Sequence, residues 1–272
     1  DYDVATSARP DEVMALFPRT EPVGVQFGVV LVLIGGTAIE VATFRNDGEY
    51  RDGRHPESVR FSSAREDAER RDFTINALFL DPETDEVIDY VGGRDDLARR
   101  RLRTVGDALA RFQEDRLRMV RAVRFATKLG FRFHQDTEAP LQELAPLLGD
   151  IPPARLFDEM LKLFMGGYAL ANFEVLRHYH LFEQMFPQTE QALTHEEEHF
   201  PLTLISLGMD NTDRRIEQGK PVTPAFLFAV FLWQPVRELA RELEAEGQHP
   251  AQALQHAGSR IIAEQAAVMA TP

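Results

Sequence analysis

Phe27-Gly28-Val29-Val30-Leu31-Val32-Leu33-Ile34, followed by Gly35-Gly36 and then Ala38-Ile39-Glu40-Val41-Ala42-Thr43-Phe44, reads as two strands around a turn. The first segment is a continuous run rich in β-branched and aliphatic residues, suited to a buried strand, and the glycine pair separates it from a second strand that is expected to pair with it as a hairpin. Glu40 stands out within an apolar strand, because a buried acid needs a partner.

Upstream of this hairpin, Asp1 to Thr6 alternates like a strand entering a turn, and Pro10-Asp11-Glu12 opens a helix through Phe17, with proline in the first turn and acids at the positive helix end. Downstream, the polar, glycine-dotted segment from Asn46 to Ser63 reads as a mobile loop. Ala77 to Leu80 and Val87 to Tyr90 form a second expected hairpin around Asp81-Pro82-Glu83-Thr84-Asp85-Glu86. From Leu97 onward strand signals fade, and the boundary falls near residue 105. Met119, Ala122, Val123, Ala126 and Leu129 fall on one helical stripe closed by Gly130, and further helices are expected over 136–147, 154–166, 168–179, 200–218, 223–246 and 250–269. The expected class is α+β: a small α/β head with a mixed or antiparallel sheet (1–105), then an all-helical neck and body (106–272).

With 272 residues, 44% of them apolar, the chain has ample length for two cores, and the absence of cysteine excludes disulfides and thiolate metal sites. No apolar run is long enough to span a bilayer, which together with the missing cysteine points to the cytoplasm. A net charge of −14 argues against a simple nucleic-acid binder. The charge is unevenly spread, however: Arg94, Arg99, Arg100, Arg101, Arg103, Arg111, Arg116, Arg118, Arg121 and Arg124 crowd one stretch and leave room for a local basic surface.

Three groups of residues suit chemistry on nucleotides. Asp1 and Asp3, two apart in a strand, would present carboxylates to one point, as a pair holding divalent cations such as Mg²⁺ must; a pair of solvated surface acids has the same spacing. Glu69-Arg70-Arg71-Asp72-Phe73-Thr74-Ile75-Asn76-Ala77 combines guanidiniums for phosphate oxygens, an acid for metal and an amide for a ribose; an ordinary ion pair at a helix end is its plainer reading. Asp115, Arg118 and Arg121 follow at three-residue steps, so on one helix they would line a face opposite the apolar stripe and read base edges as acceptor and donors; a surface salt-bridge ladder has the same spacing. His195-Glu196-Glu197-Glu198-His199 fits a zinc-protease pattern, but three consecutive glutamates before Phe200-Pro201 read as a solvated segment. His178 and His180 read as packing residues near a helix end.

In order and spacing, Asp1-Tyr2-Asp3-Val4-Ala5-Thr6, Glu40-Val41-Ala42-Thr43-Phe44-Arg45, Arg70 to Ala77, Asp89-Tyr90-Val91-Gly92-Gly93 and Glu114 to Phe125 resemble the class II nucleotidyltransferase family of bacterial poly(A) polymerases and CCA-adding tRNA nucleotidyltransferases. The resemblance implies an enzyme that extends an RNA 3′ end from a nucleoside triphosphate, with Mg²⁺ in a two-metal site and ATP as substrate. It also implies that Asp1 and Asp3 bind metal, that Asp72 is the third carboxylate, that Arg71 to Asn76 handle ribose and phosphate, and that Asp115 and Arg118 face the base. Family members carry a Gly-Gly turn and an Arg-Asp pair before the Asp-x-Asp strand, so the first part of the head is expected to be missing here. Ile151 to Phe164, Tyr179 to Phe182, Asn211 to Ile216 and Thr223 to Ala229 are similar to poly(A) polymerases in particular, which makes AMP addition the leading expectation, CCA addition the alternative and a non-catalytic RNA-binding remnant a third.

Overall fold

The computed structural model describes residues 3–48, 58–194 and 200–271. The chain divides into two compact units, residues 1–115 and 116–272.

The first unit is built on a mixed four-stranded sheet in the order β1 (Val4–Thr6), β4 (Thr37–Thr43), β3 (Val29–Ile34), β2 (Thr20–Gly24). The expected hairpin is present: β3 and β4 pair antiparallel with Ile34 opposite Thr37. Gly35 (φ 57°) and Gly36 (φ 84°) are both left-handed, the backbone a two-residue hairpin turn demands. α1 (Pro10–Leu16) lays Val13 on Val30, Val32 and Val41, forming a small core on one sheet face. β2 escaped the sequence reading because Pro22 and Gly24 break its pattern; as an edge strand it tolerates a proline that a central strand would not.

The segment read as a loop from Asn46 onward is bounded by a short antiparallel pair, β5 (Arg45–Asp47) with β6 (Val59–Phe61), so its described ends are structured. α2 (Ala64–Glu69) follows, then the second expected hairpin, β7 (Leu78–Leu80) with β8 (Val87–Asp89), then α3 (Gly93–Ala98) and α4 (Ala108–Glu114). α4 stays with the first unit through Arg111, whose guanidinium donates to the carbonyls of Arg70 and Arg71 at 2.5 and 2.6 Å.

The second unit is helical: α5 (Leu117–Leu129), α6 (Gln135–Leu144), α7 (Pro153–Phe164), α8 (Ala169–His178), α9 (Phe182–Met185), α10 (Pro187–Thr194), α11 (Phe200–Glu217), α12 (Pro224–Ala245) and α13 (Pro250–Val268). Leu129 does not belong to the buried stripe of α5; it is 42% exposed in the last turn, before the left-handed Gly130. Phe164, Phe173, Phe182, Phe186 and Phe231 are fully buried and in ring contact around Phe231. Pro235 lies inside α12 and has no N–H for the carbonyl of Phe231; the hydroxyl of Thr189 donates to that carbonyl instead, at 2.9 Å. Among the described residues, no helix is long and apolar enough to cross a membrane.

Candidate active site

β1 and β4 run parallel, with Val4 opposite Val41 and Thr6 opposite Thr43. One residue earlier along each strand come Asp3 and Glu40, both exposed, and alternation within β4 turns Glu40 to the sheet face opposite the Val30–Val32–Val41 core. Glu40 is therefore not the buried acid expected from its apolar neighbours: strand alternation turns it to the open face while Val41 points inward. Asp1 lies outside the described residues. Among the described residues no group of three His, Asp or Glu side chains gathers for a metal. The donors this face does offer, Asp3 and Glu40, are hard carboxylate oxygens suited to Mg²⁺, which takes few protein ligands.

A short chain of contacts joins this strand pair to the arginine-rich stretch. The backbone N–H of Phe44 donates to the carbonyl of Thr6 at 2.8 Å, the Phe44 ring meets Phe79 edge-on at 5.6 Å, and the guanidinium of Arg71 lies 5.5 Å over the Phe79 ring. Arg71 is held by the buried carboxylate of Asp67, whose Oδ1 accepts from its Nε at 3.2 Å and NH2 at 3.1 Å, while NH1 reaches the carbonyl of Asn76 at 3.5 Å. Asp72 closes the turn that follows: its Oδ1 accepts from the backbone N–H of Phe73 at 2.7 Å and from Nδ2 of Asn76 at 3.2 Å. Phe73 is fully buried, and the backbone of residues 72–74 is tied to Arg103 and Val105. The stretch is thus a clamped turn that leaves Arg71 partly exposed.

Two further aspartates build the floor under this turn. Asp96 is fully buried and accepts from Thr74 Oγ1 at 2.6 Å, Arg101 Nε at 2.7 Å and Arg103 Nε at 2.8 Å. Burial opposes its charge, yet the hydrogen bonds from Thr74, Arg103 and Arg101 outweigh it and hold the carboxyl below its ordinary range. Asp89 collects the backbone N–H groups of Val91, Gly92, Gly93 and Arg94. Desolvation again opposes ionisation, and these four bonds again win, keeping its pKa low. Gly92 is left-handed (φ 86°), and a Cβ on Gly93 would collide with the carbonyl of Thr74. The Asp89-Tyr90-Val91-Gly92-Gly93 motif is therefore the N-terminal cap of α3 and the close approach that presses it onto the Thr74 turn.

The expected helical face of Asp115, Arg118 and Arg121 needs correction. Asp115 is the extended residue ending α4 (φ −135°, ψ 104°), and α5 begins only at Leu117. Arg118 is buried, 5% exposed, so it is not a rung of a surface ladder; Arg121 is half-buried with its guanidinium 5.4 Å over Phe125. His178 and His180 are exposed rather than packed; His178 touches Tyr179 edge-on, and His180 has φ 60° in the turn after α8. His195 to His199 lie outside the described residues.

Residues 1–103 match a family model described as the poly A polymerase head domain, and residues 130–193 match one described as the probable RNA and SrmB-binding site of polymerase A. The crystal structure of the Bacillus stearothermophilus CCA-adding enzyme in complex with CTP matches 96% of this chain and 72% of that chain at 32% identity, with a TM-score of 0.59. The chain belongs to the family of bacterial poly(A) polymerases and CCA-adding enzymes. Poly(A) polymerase I of Haemophilus influenzae is 40% identical over 96% of the chain and 61% of its own length. A CCA-adding enzyme of Geobacillus thermodenitrificans is 53% identical over 62% of the chain and 42% of its own length. The chain thus spans about three fifths of the length of the poly(A) polymerase it matches. Within this family chain, the residues that escaped sequence reading are the buried acids Asp67 and Asp96. For Asp67 a signal existed, since it precedes Arg70 by three residues and Arg71 by four, the spacing of helical ion pairs, but nothing local distinguished it from Glu66 or Glu69.

Proposed function

We propose that the chain is the catalytic part of a template-independent RNA 3′-end nucleotidyltransferase, a poly(A) polymerase that adds AMP from ATP and releases pyrophosphate. The observation that carries this reading is the sequence similarity to poly(A) polymerase I through 96% of the chain, helical unit included, where the sequence match to the Geobacillus CCA-adding enzyme covers 62%; the fold itself is shared with CCA-adding enzymes over 96% of the chain. The Mg²⁺ ligands in this reading are Asp1 and Asp3, with Asp72 as the third carboxylate implied by the family; Glu40 stands level with Asp3 by strand register, and Asp72 also shapes the turn carrying Asn76. Bound divalent metal would lower the pKa of the RNA 3′-hydroxyl and steady the leaving oxygen. Arg71 draws the triphosphate through charge-assisted bonds, Asn76 contacts the ribose, and Asp115, Arg118 and Arg121 serve the base. The hydroxyl attacks the α-phosphate, and pyrophosphate leaves.

CCA addition is the second reading, favoured by the higher identity to the Geobacillus enzyme over the residues it matches. Incubating the protein with Mg²⁺, a labelled RNA and each triphosphate in turn separates the two. Long tails from ATP alone support the polymerase, and addition that stops after C, C and A supports the tRNA enzyme. Extension that survives replacement of both Asp1 and Asp3 by Asn would remove the metal assignment. Replacing Glu40 and Asp72 by Gln and Asn, respectively, ranks them: the metal-holding one loses activity that added Mn²⁺ partly restores.

A further inference from the structure

We infer that Asp67 is a positioning residue for nucleotide binding: it aims Arg71, together with Arg70, at the phosphates of the incoming triphosphate. The inference rests on the nucleotidyltransferase reading above and deepens it. The Asp67 side chain is 3% exposed, on α2, and both its oxygens are used. Oδ1 takes two donors of the Arg71 fork, Nε and NH2, so one acceptor fixes the place and direction of that edge of the guanidinium. Oδ2 takes Arg70 NH2 at 3.1 Å and the backbone N–H of Arg45 at 3.0 Å.

One buried carboxylate therefore links both arginines to the chain leaving β4, the strand that carries Glu40. The second face of the grip is the Phe79 ring, against which the guanidinium lies. Arg111 holds the same arginines from behind through their carbonyls. Arg71 nonetheless keeps its side chain 32% exposed, so a group fixed from inside still meets solvent. A long, flexible arginine ordinarily gives up rotamer freedom when it binds phosphate. Ordering it in advance removes that cost, and this is the contribution assigned to Asp67.

The test is steady-state RNA extension by the full chain, with Asp67→Asn, Asp67→Glu, Arg71→Ala and the double variant Asp67→Asn/Arg71→Ala. Asp67→Asn keeps the shape and loses the charge; it is expected to raise KM for ATP about tenfold, the scale of one charge-assisted hydrogen bond, with little change in kcat. In the Arg71→Ala background the same change is expected to add much less, since only the route through Arg70 then remains. An unchanged ATP KM in folded Asp67→Asn, or an equal loss in the presence and absence of Arg71, overturns the inference and leaves Asp67 a purely structural acid. Should Asp67→Asn not fold, Asp67→Glu decides: it keeps the charge but displaces the grip by one methylene, and an ATP KM equal to that of the unaltered protein overturns the inference. An unaltered protein that neither binds ATP nor extends RNA sinks the nucleotidyltransferase reading and this inference with it, a result distinct from unaltered kinetics in the variants.

Discussion

In the first unit, Asp67, Asp89 and Asp96 each gather three or more donors, whereas the second unit is centred on Phe231 among four other fully buried phenylalanines. The two arrangements differ in what they specify. Apolar area is non-directional and tolerates volume-conserving exchange, which suits a helical scaffold. Saturated carboxylates specify direction, because every bond has a donor at one place, which suits the turn that carries Arg71 and Asn76. Irregular loops bury too little surface to hold such angles by packing alone.

The contrast can be broken most strongly at Phe231. Phe231→Ala should cost about 3–5 kcal/mol, and Phe231→Leu under about 1.5 kcal/mol, both evenly across pH. The intrinsic fluorescence of Trp233, the one tryptophan, follows this unit during denaturant unfolding. A cost for Leu as large as that for Ala would contradict a tolerant apolar centre.

Asp96→Asn should cost about 2–3 kcal/mol in the first unit, read by amide hydrogen exchange over residues 72–105. Its signature is the pH dependence. The folded pKa lies below the ordinary 3.8, so the stabilisation by ionised Asp96 is complete above that value and is lost as pH falls through the lowered folded pKa. The acid-induced loosening of these amides should therefore be shallower in Asp96→Asn than in the unaltered protein. Phe231→Ala should leave that slope alone.

A smaller effect tests close approach. Gly93→Ala should cost about 1–3 kcal/mol, because the new methyl must push the Thr74 carbonyl and with it the turn holding Asn76. Reduced activity greater than the loss of folded protein would show that the turn, not merely stability, has moved. The mildest change blurs the contrast, since the helical unit also uses carboxylate caps: Asp213 accepts the N–H groups of Ala169 and Leu170 at 2.7 and 3.1 Å. Asp213→Ala should cost about 0.5–2 kcal/mol by the same fluorescence measurement.

Much of the fold was legible because its signals are local. The Gly35-Gly36 hairpin, the 78–89 hairpin and helices α6, α7, α8, α11, α12 and α13 follow from periodicity and breakers within a dozen residues, whereas the short α9 and α10 were not expected. Legibility failed where position in the fold overrode local pattern. Pro22 and Gly24 hid an edge strand, Glu40 faced out of an apolar run, and Asp115 left the helix that its spacing with Arg118 suggested. The motif residues could be named from order and spacing, but the acids that position them could not.

The sequence by itself determined the class of fold, its two main hairpins, most of its longer helices and the stretches that carry the family's motifs, because helix and strand periodicity, turn residues and motif spacing are properties of short segments. Only the tertiary structure decided which acid serves which arginine. Asp67 reaches across 22 residues to the backbone of Arg45, and Arg111 across 41 to the carbonyl of Arg70. Burial then separates Asp67 and Asp96 from equally charged neighbours that remain in water, since a carboxylate taken from solvent persists as an ion only where donors already wait for it.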